Sequence, residues 1–339
     1  MVFFLTMPTT PNLRKALIFG VSGQDGSYLA KFLLNKGYEV WGTSREAQKT
    51  PPNLEALGIA AQVHLLACAM NDGASIRQVL DTASPEEIYN LAGQTSVSYS
   101  FVQPLETLRS IAHSTLNLLE CIRQRGEPCR LFHASSAECF GDHGQTPVDE
   151  STPFRPRSPY GVAKASAHWQ LACYREAFGI HASSGILFNH ESPLRPQKFV
   201  TQKVIAAVGA AARGSHEKLH LGAIDVFRDW GWAPEYVEAM WLMLQQPTPD
   251  DYIIATGESH SLSDFVDTAF SSIGRDSAEF LVQDGSLLRP TEIKYSYADA
   301  WKIKQQLGWS ARNKMADVVR LMLEADTSAH RNQPSTNEK

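Results

Sequence analysis

Four side chains stand at spacings that could move protons. Tyr160 and Lys164, in SPYGVAKASAHW (158–169), are four apart. On a helix they share one face, one turn from each other. An unperturbed phenol titrates at about 10 and is a poor base near neutrality, but a nearby ammonium favours the phenolate. Upstream, HASSAECFG (133–141) places Ser136 and Glu138 just past the apolar run CRLFHA. Ser136 could hydrogen-bond the same hydroxyl that Tyr160 deprotonates. Glu138 could be a base aimed at a substrate. Plainer readings exist: YxxxK occurs by chance on many surface helices, and Glu138 could be a loop acid or a helix-cap partner.

A glycine loop, GVSGQDG (20–26), precedes these groups in the chain. Gly20, Gly23 and Gly26 are spaced GxxGxxG around Val21, Ser22, Gln24 and Asp25. Glycines there permit a tight turn and close backbone approach to a pyrophosphate, which then meets a helix N-terminus. A plain structural turn can look the same, but a strand before and a helix after are the context a dinucleotide site needs. An acid at the end of the second strand would bind a ribose 2′-hydroxyl, and an arginine would accept a 2′-phosphate. The segment VWGTSREA offers Arg45 with no acid before it, which favours NADP; Glu46 follows directly, and NAD stays open.

The elements that must position these groups alternate. KALIF (15–19), EVWG (39–42), QVHLL (62–66), EEIYNLA (86–92), RLFHA (130–134), SSGILF (183–188) and YIIATG (252–257) read as strands. SYLAKFLLNKG (27–37), TLRSIAHSTLNLLECIRQ (107–124) and EYVEAMWLMLQQ (235–246) read as helices. The pattern predicts an α/β fold, a Rossmann-type doubly wound parallel sheet with a smaller α/β C-terminal substrate lobe. Residues 14–190 with about 227–257 are expected to form the NADP-binding domain. Residues 191–226 and 258–327 are expected to form the lobe. Residues 1–13 and 328–339 are expected to be a disordered leader and tail.

Composition narrows the function classes. The 339 residues are 43% hydrophobic and 20% charged, with a formal net charge of −5. There is no basic excess to support nucleic-acid or membrane-surface binding. No apolar run approaches the roughly 20 residues that span a bilayer. Cys68, Cys121, Cys129, Cys139 and Cys173 are scattered without CxxC spacing, which argues against disulfides or a metal site and for a reducing, cytoplasmic setting.

The set Gly-loop, Ser136, Tyr160 and Lys164 resembles the extended short-chain dehydrogenase/reductase family. Longer segments sharpen the likeness: YNLAGQTSVSYSF, TPFRPRSPYGVAK, GILFNHESPLRP, RDWGWAPEYVEAMWLMLQ, IATGESHS and RPTEI look like the GDP-mannose 4,6-dehydratases of that family, over roughly residues 14–325. The resemblance implies a hydro-lyase with Ser136 (where the family usually has Thr), Glu138, Tyr160 and Lys164 as the catalytic set. It implies NADP contacts from residues 20–26, Arg45, Leu91, Ala92, Gly93, Gln94, Thr95, Lys164, His190 and Arg195. Asn189, Arg228 and Arg289 become candidates for the nucleotide and diphosphate of a GDP-sugar. A homodimer or dimer of dimers is implied as well. Ala69 stands where the family has an adenine-holding Asp, and Glu46 where it has a second Arg. A dehydratase or 4-epimerase on another sugar nucleotide, or a decayed cofactor-binding scaffold, remain the alternatives.

Overall fold

A computed structural model describes residues 13–331 apart from Ala47. The expected leader, Leu13 excepted, and the tail beyond Arg331 lie outside the described residues. The last helix, Met315–Arg331, runs through the first residues of the expected tail.

Apolar runs buried on both faces build the central sheet. Its strands are β1 (Lys15–Phe19), β2 (Glu39–Ser44), β3 (Val63–Ala67), β4 (Glu87–Asn90), β5 (Arg130–Ser136), β6 (His181–Leu187) and β7 (Asp251–Ile254). All pair in parallel, in the order β7-β6-β5-β4-β1-β2-β3. The order reverses between β1 and β4, and a ligand crevice opens at such a point beyond the carboxyl ends of the strands. The fourth strand ends at Asn90, two residues short of the expected run, because the chain leaves the sheet there to line that crevice.

The expected helix over 107–124 is interrupted. Pro104–Leu108 leads into a π turn at Arg109–His113, and Ser114–Arg125 continues as α-helix. The hydroxyls of Ser114 and Thr115 donate to the carbonyls of Arg109 (2.8 Å) and Ile111 (2.8 Å). Side-chain hydroxyls that bond back to the helix backbone favour such a local widening. The turn brings Ile111 against Tyr160.

A second core gathers Trp230, Phe265, Phe270 and Phe280 between the helices Val200–Ala212, Leu262–Ser271 and Met315–Arg331. The expected lobe does not run unbroken from 258 to 327. Ile303, Trp309 and Ala311 leave it and join the core of the sheet unit beside the Ala233–Leu244 helix, and Trp309 Nε1 donates to the Glu235 carbonyl at 3.2 Å. Among the described residues no helix is long and apolar enough to cross a membrane, and all five cysteines are free.

Candidate active site

The site grows from the ends of β1, β4 and β5. The glycine loop turns at Gly20 (φ +88°), where a side chain would press on the backbone of Leu91 and Ala92. A Cβ on Gly26 would collide with the Gly20 carbonyl. These two glycines therefore fix the turn and the packing of helix on strand. Gly23 differs: it is the N-cap of the Gln24–Asn35 helix, makes no side-chain cap, and a Cβ there would meet only the Gly20 oxygen at 3.4 Å. The first N–H groups of that helix thus have no side-chain cap, which fits an anion such as a dinucleotide diphosphate. Across the crevice, Leu91–Thr95 follows β4, with Gly93 at φ +136° pressed against the π turn. Gln94 donates its amide to the Ser96 carbonyl in its own loop (3.0 Å) and to the Thr107 hydroxyl on the Pro104–Leu108 helix (2.9 Å).

The catalytic candidates meet at the end of β5. Ser136 is the last strand residue, and its Oγ accepts from the Glu138 N–H at 3.3 Å. Tyr160 and Lys164 lie in the first turns of the Pro159–Phe178 helix, both buried. Ser158 caps that helix, accepting from Gly161 N–H at 3.0 Å, with Pro159 in its first turn. The same residue favours the ionised form of the Glu138 carboxyl.

Burial governs the protonation states. It pushes the Tyr160 phenol above its ordinary value; the Ser136 hydrogen bond pulls it partly back, while Glu138 raises it further. Burial lowers Lys164 to about 8, opposed by Cys139 and Asp25. Lys164 Nζ donates to the Ala134 carbonyl at 2.7 Å and stands 5.9 Å from the centre of the Tyr160 ring. The expectation that Lys164 would depress Tyr160 in the protein alone therefore gives way to desolvation, which disfavours both charged forms. Burial also raises the Glu138 carboxyl, although Arg228, Arg289 and Ser158 favour its ionised form. Such a carboxyl holds and releases protons nearer neutrality than a solvated acid does. The Cys139 thiol, next in sequence, is buried and raised to about 11, so it is an inert neighbour.

The substrate candidates converge from the lobe. Arg228 (2.8 Å) and Arg289 (3.1 Å) both donate to one oxygen of Glu292. Arg289 also reaches over the crevice to Ser98 at 3.2 Å, and Thr291 donates to the Arg157 carbonyl. Burial lowers Arg228, with Glu138 and Glu292 opposing the fall. Asn189 opens a short strand, Asn189–Glu191, paired in parallel with Trp230–Trp232. The neighbouring Asp229 is buried and raised to about 6, accepting from Thr256 N–H (2.9 Å) and Gly257 N–H (2.8 Å). Arg195 lies over the Phe199 ring (3.9 Å) beside Glu191 (3.3 Å).

The remaining cofactor candidates differ in setting. Arg45 is exposed at the end of β2, away from the catalytic cluster. Glu46 pairs with Lys49 at 2.8 Å. Ala69 has no polar side chain, and the nearby Asp72 is engaged in capping the next helix at Ala74 N–H. His190 has both ring nitrogens occupied, by Phe188 and Asp25. Sequence reasoning missed Glu292 and Ser158. Glu292 lay in the quoted RPTEI, and the Ser-Pro pair before Tyr160 is a helix-start signal that could have exposed Ser158.

The family model described as GDP-mannose 4,6 dehydratase matches residues 17–322. The chain is 43% identical over 324 residues to GDP-mannose 4,6 dehydratase 1 of Arabidopsis thaliana, covering 92% of this chain and 89% of the relative. It is 39% identical over 346 residues to the Homo sapiens GDP-mannose 4,6 dehydratase, covering 94% and 93%. Among solved structures, the UDP-glucose 4-epimerase of Thermus thermophilus complexed with NAD superposes with a TM-score of 0.82 at 23% identity, over 93% of this chain and 99% of that one. RMD from Pseudomonas aeruginosa complexed with NADPH gives 0.76 at 22%, over 93% and 98%; at these identities the likeness speaks for the fold alone. The family match spans nearly all of both cores and every catalytic candidate: the chain belongs to the GDP-mannose 4,6-dehydratase family.

Proposed function

We propose that this protein dehydrates GDP-D-mannose to GDP-4-dehydro-6-deoxy-D-mannose, a redox-neutral reaction that releases one water. The observation that carries the reading is the half-buried Glu138 carboxyl. Burial raises its titration, it sits two residues past Ser136, and it feels Tyr160, Arg228 and Arg289 electrostatically. An enzyme that only oxidised or epimerised at C4 would have no use for such an acid.

Bound NADP supplies the hydride acceptor for C4 and, later, the hydride donor for C6, so nothing is consumed. Tyr160 takes the C4 hydroxyl proton, Ser136 orients that hydroxyl, and Ser136 then hydrogen-bonds the ketone. The ketone acidifies the C5 proton, which Glu138 removes. Glu138 returns a proton to the departing C6 hydroxyl, and water leaves. A proton from solvent re-adds at C5 and Tyr160 releases the one it took, which restores the starting protonation of the site. Lys164 holds the nicotinamide ribose, and its positive charge favours the phenolate when the site is filled. Arg228 and Arg289 exchange their shared carboxylate for diphosphate oxygens, which suit the guanidinium fork.

NADP is preferred over NAD in this reading. Arg45 is solvent-exposed, and Glu46 is already neutralised by Lys49, so the acid that would repel a 2′-phosphate is engaged elsewhere. A second copy of the chain covers the apolar face shared by the Val97–Val102, Pro104–Leu108 and Pro159–Phe178 helices. There Leu105 is 72% and Trp169 60% exposed, with Val102 and Val162 beside them. The free cysteines fit a reducing, cytoplasmic setting.

The test is mass-resolved product analysis over GDP-, UDP-, dTDP- and CDP-sugars without added reductant. A product lighter by one water from GDP-mannose is expected. No mass loss from that substrate, or a faster loss from another, overturns the assignment.

A further inference from the structure

An aspartate is out of place in a loop that receives a diphosphate. Asp25 lies in the first turn of the Gln24–Asn35 helix, whose N-terminus carries the uncapped N–H groups. A carboxylate favours that end of a helix and would compete with, or repel, an incoming phosphate. Its surroundings answer the difficulty. His190 Nε2 lies 2.8 Å from Asp25 Oδ2, and His190 Nδ1 lies 2.7 Å from the Phe188 carbonyl. The Gln24 amide donates to the other Asp25 oxygen at 2.9 Å, as it would to an ionised carboxylate. A carbonyl and a carboxylate only accept, so both ring nitrogens must donate. The ring is then an imidazolium.

We infer that the His190 imidazolium cancels the charge of Asp25 at the mouth of the glycine loop, and so acts as an electrostatic positioning residue for the cofactor diphosphate. The inference rests on the reading that residues 20–26 hold the cofactor, and not on which sugar is turned over. Geometry is fixed separately from charge. Gln24 Nε2 donates to the His190 carbonyl at 3.2 Å, and Ser192 Oγ donates to Gln24 Oε1 at 2.8 Å. The loop and residues 190–192 are thus tied together even without the ion pair.

The groups around the ring come from each packed element. Asp25 comes from the glycine loop. Glu191, on the ring's own strand, is held by Thr201 (2.7 Å) and Arg195 (3.3 Å). Arg195, on the following turn, opposes the ring's charge. Tyr236 stacks on it at 4.7 Å from the long helix behind, as a neutral phenol. Lys164, on the catalytic helix, feels Asp25. Burial works against the imidazolium, yet Asp25 holds its titration above the ordinary value, and His190 and the Phe188 bond in turn keep the Asp25 carboxyl low and the ring charged. Deprotonation at alkaline pH uncovers Asp25, so cofactor affinity is predicted to fall as pH rises through that titration.

The experiment is fluorescence titration of NADPH onto purified protein with no sugar nucleotide present. His190→Gln is expected to weaken binding about tenfold, and Asp25→Asn with His190→Gln to recover to within about threefold of the parent. Between about pH 6.5 and pH 9 the parent should weaken more steeply than the double variant, in which the loss of charge on Lys164 is the slope that remains. Unchanged binding in His190→Gln overturns the inference. So does a double variant no better than the single one, which would make His190 a packing residue. If the single variant does not fold, the comparison of the parent with the double variant across pH decides, and parallel profiles overturn it. A protein that behaves as expected here but dehydrates no GDP-mannose overturns the proposed activity and leaves this inference standing.

Discussion

The two ends of the crevice are built to different standards. At the end of β5, Ser136, Tyr160 and Lys164 are buried, Glu138 nearly so, and each is fixed by a helix cap, a carbonyl or a neighbouring hydroxyl. At the exits of β2 and β3, Arg45 and Glu46 lie in solvent, and Ala69 offers no side-chain polar group. Buried groups feel each other through a low effective dielectric, so small displacements there change protonation states. Exposed groups are screened and contribute little individually. The chemistry should therefore fail abruptly on substitution, and the cofactor's adenine end should change by degrees.

The sharpest way to break this contrast lies at the buried end. Glu138→Gln should lower dehydration by about a hundredfold or more while still permitting slow oxidation at C4, read as cofactor reduction in a single turnover. A full dehydration rate would remove Glu138 from the mechanism. Arg228→Met should come next, raising KM for the sugar nucleotide more than it lowers kcat, by about tenfold to a hundredfold, since it deletes a buried charged donor. At the exposed end, Arg45→Ala should reduce the preference for NADP over NAD by about tenfold or less, measured as the ratio of two dissociation constants. A collapse of all cofactor binding would show that end to be as rigid as the other.

The smallest expected effect concerns stability. Burial holds Lys164 at about 8, below its ordinary 10.5. The unfolded chain therefore binds more protons between those values, and the penalty is full below the lower one and vanishes as pH rises through the upper. Lys164→Met should accordingly raise the melting temperature near neutral pH by about 2 °C or more while abolishing turnover. A lower melting temperature would mean that the bond to the Ala134 carbonyl outweighs the buried charge.

The sheet was legible because its strands are short apolar runs between helical periods, and the parallel order follows from that alternation. The placement of the four catalytic candidates was legible because YxxxK carries the helix repeat and HASSAECFG follows a strand. Other features depend on contacts that no local pattern encodes. Glu292 meets Arg228 from 64 residues away. The π turn arises from two hydroxyls bonding backwards in a segment whose apolar spacing reads as unbroken helix. The sense of the Tyr160 and Lys164 shifts depends on how deeply both are buried, a quantity set by the whole fold. Ile303 and Trp309 packing under the sheet, away from the lobe, is likewise a choice between two cores that either could enter.

Ser158 carries a consequence for the acid beside it. Its oxygen accepts from Gly161 and is fixed at the start of the catalytic helix. The same residue favours the ionised form of Glu138. Ser158→Ala removes a helix cap and a polar neighbour of the acid together. The acid limb of the dehydration profile should therefore move to higher pH while the melting temperature falls; an unmoved profile with a lower melting temperature would leave Ser158 as a cap alone.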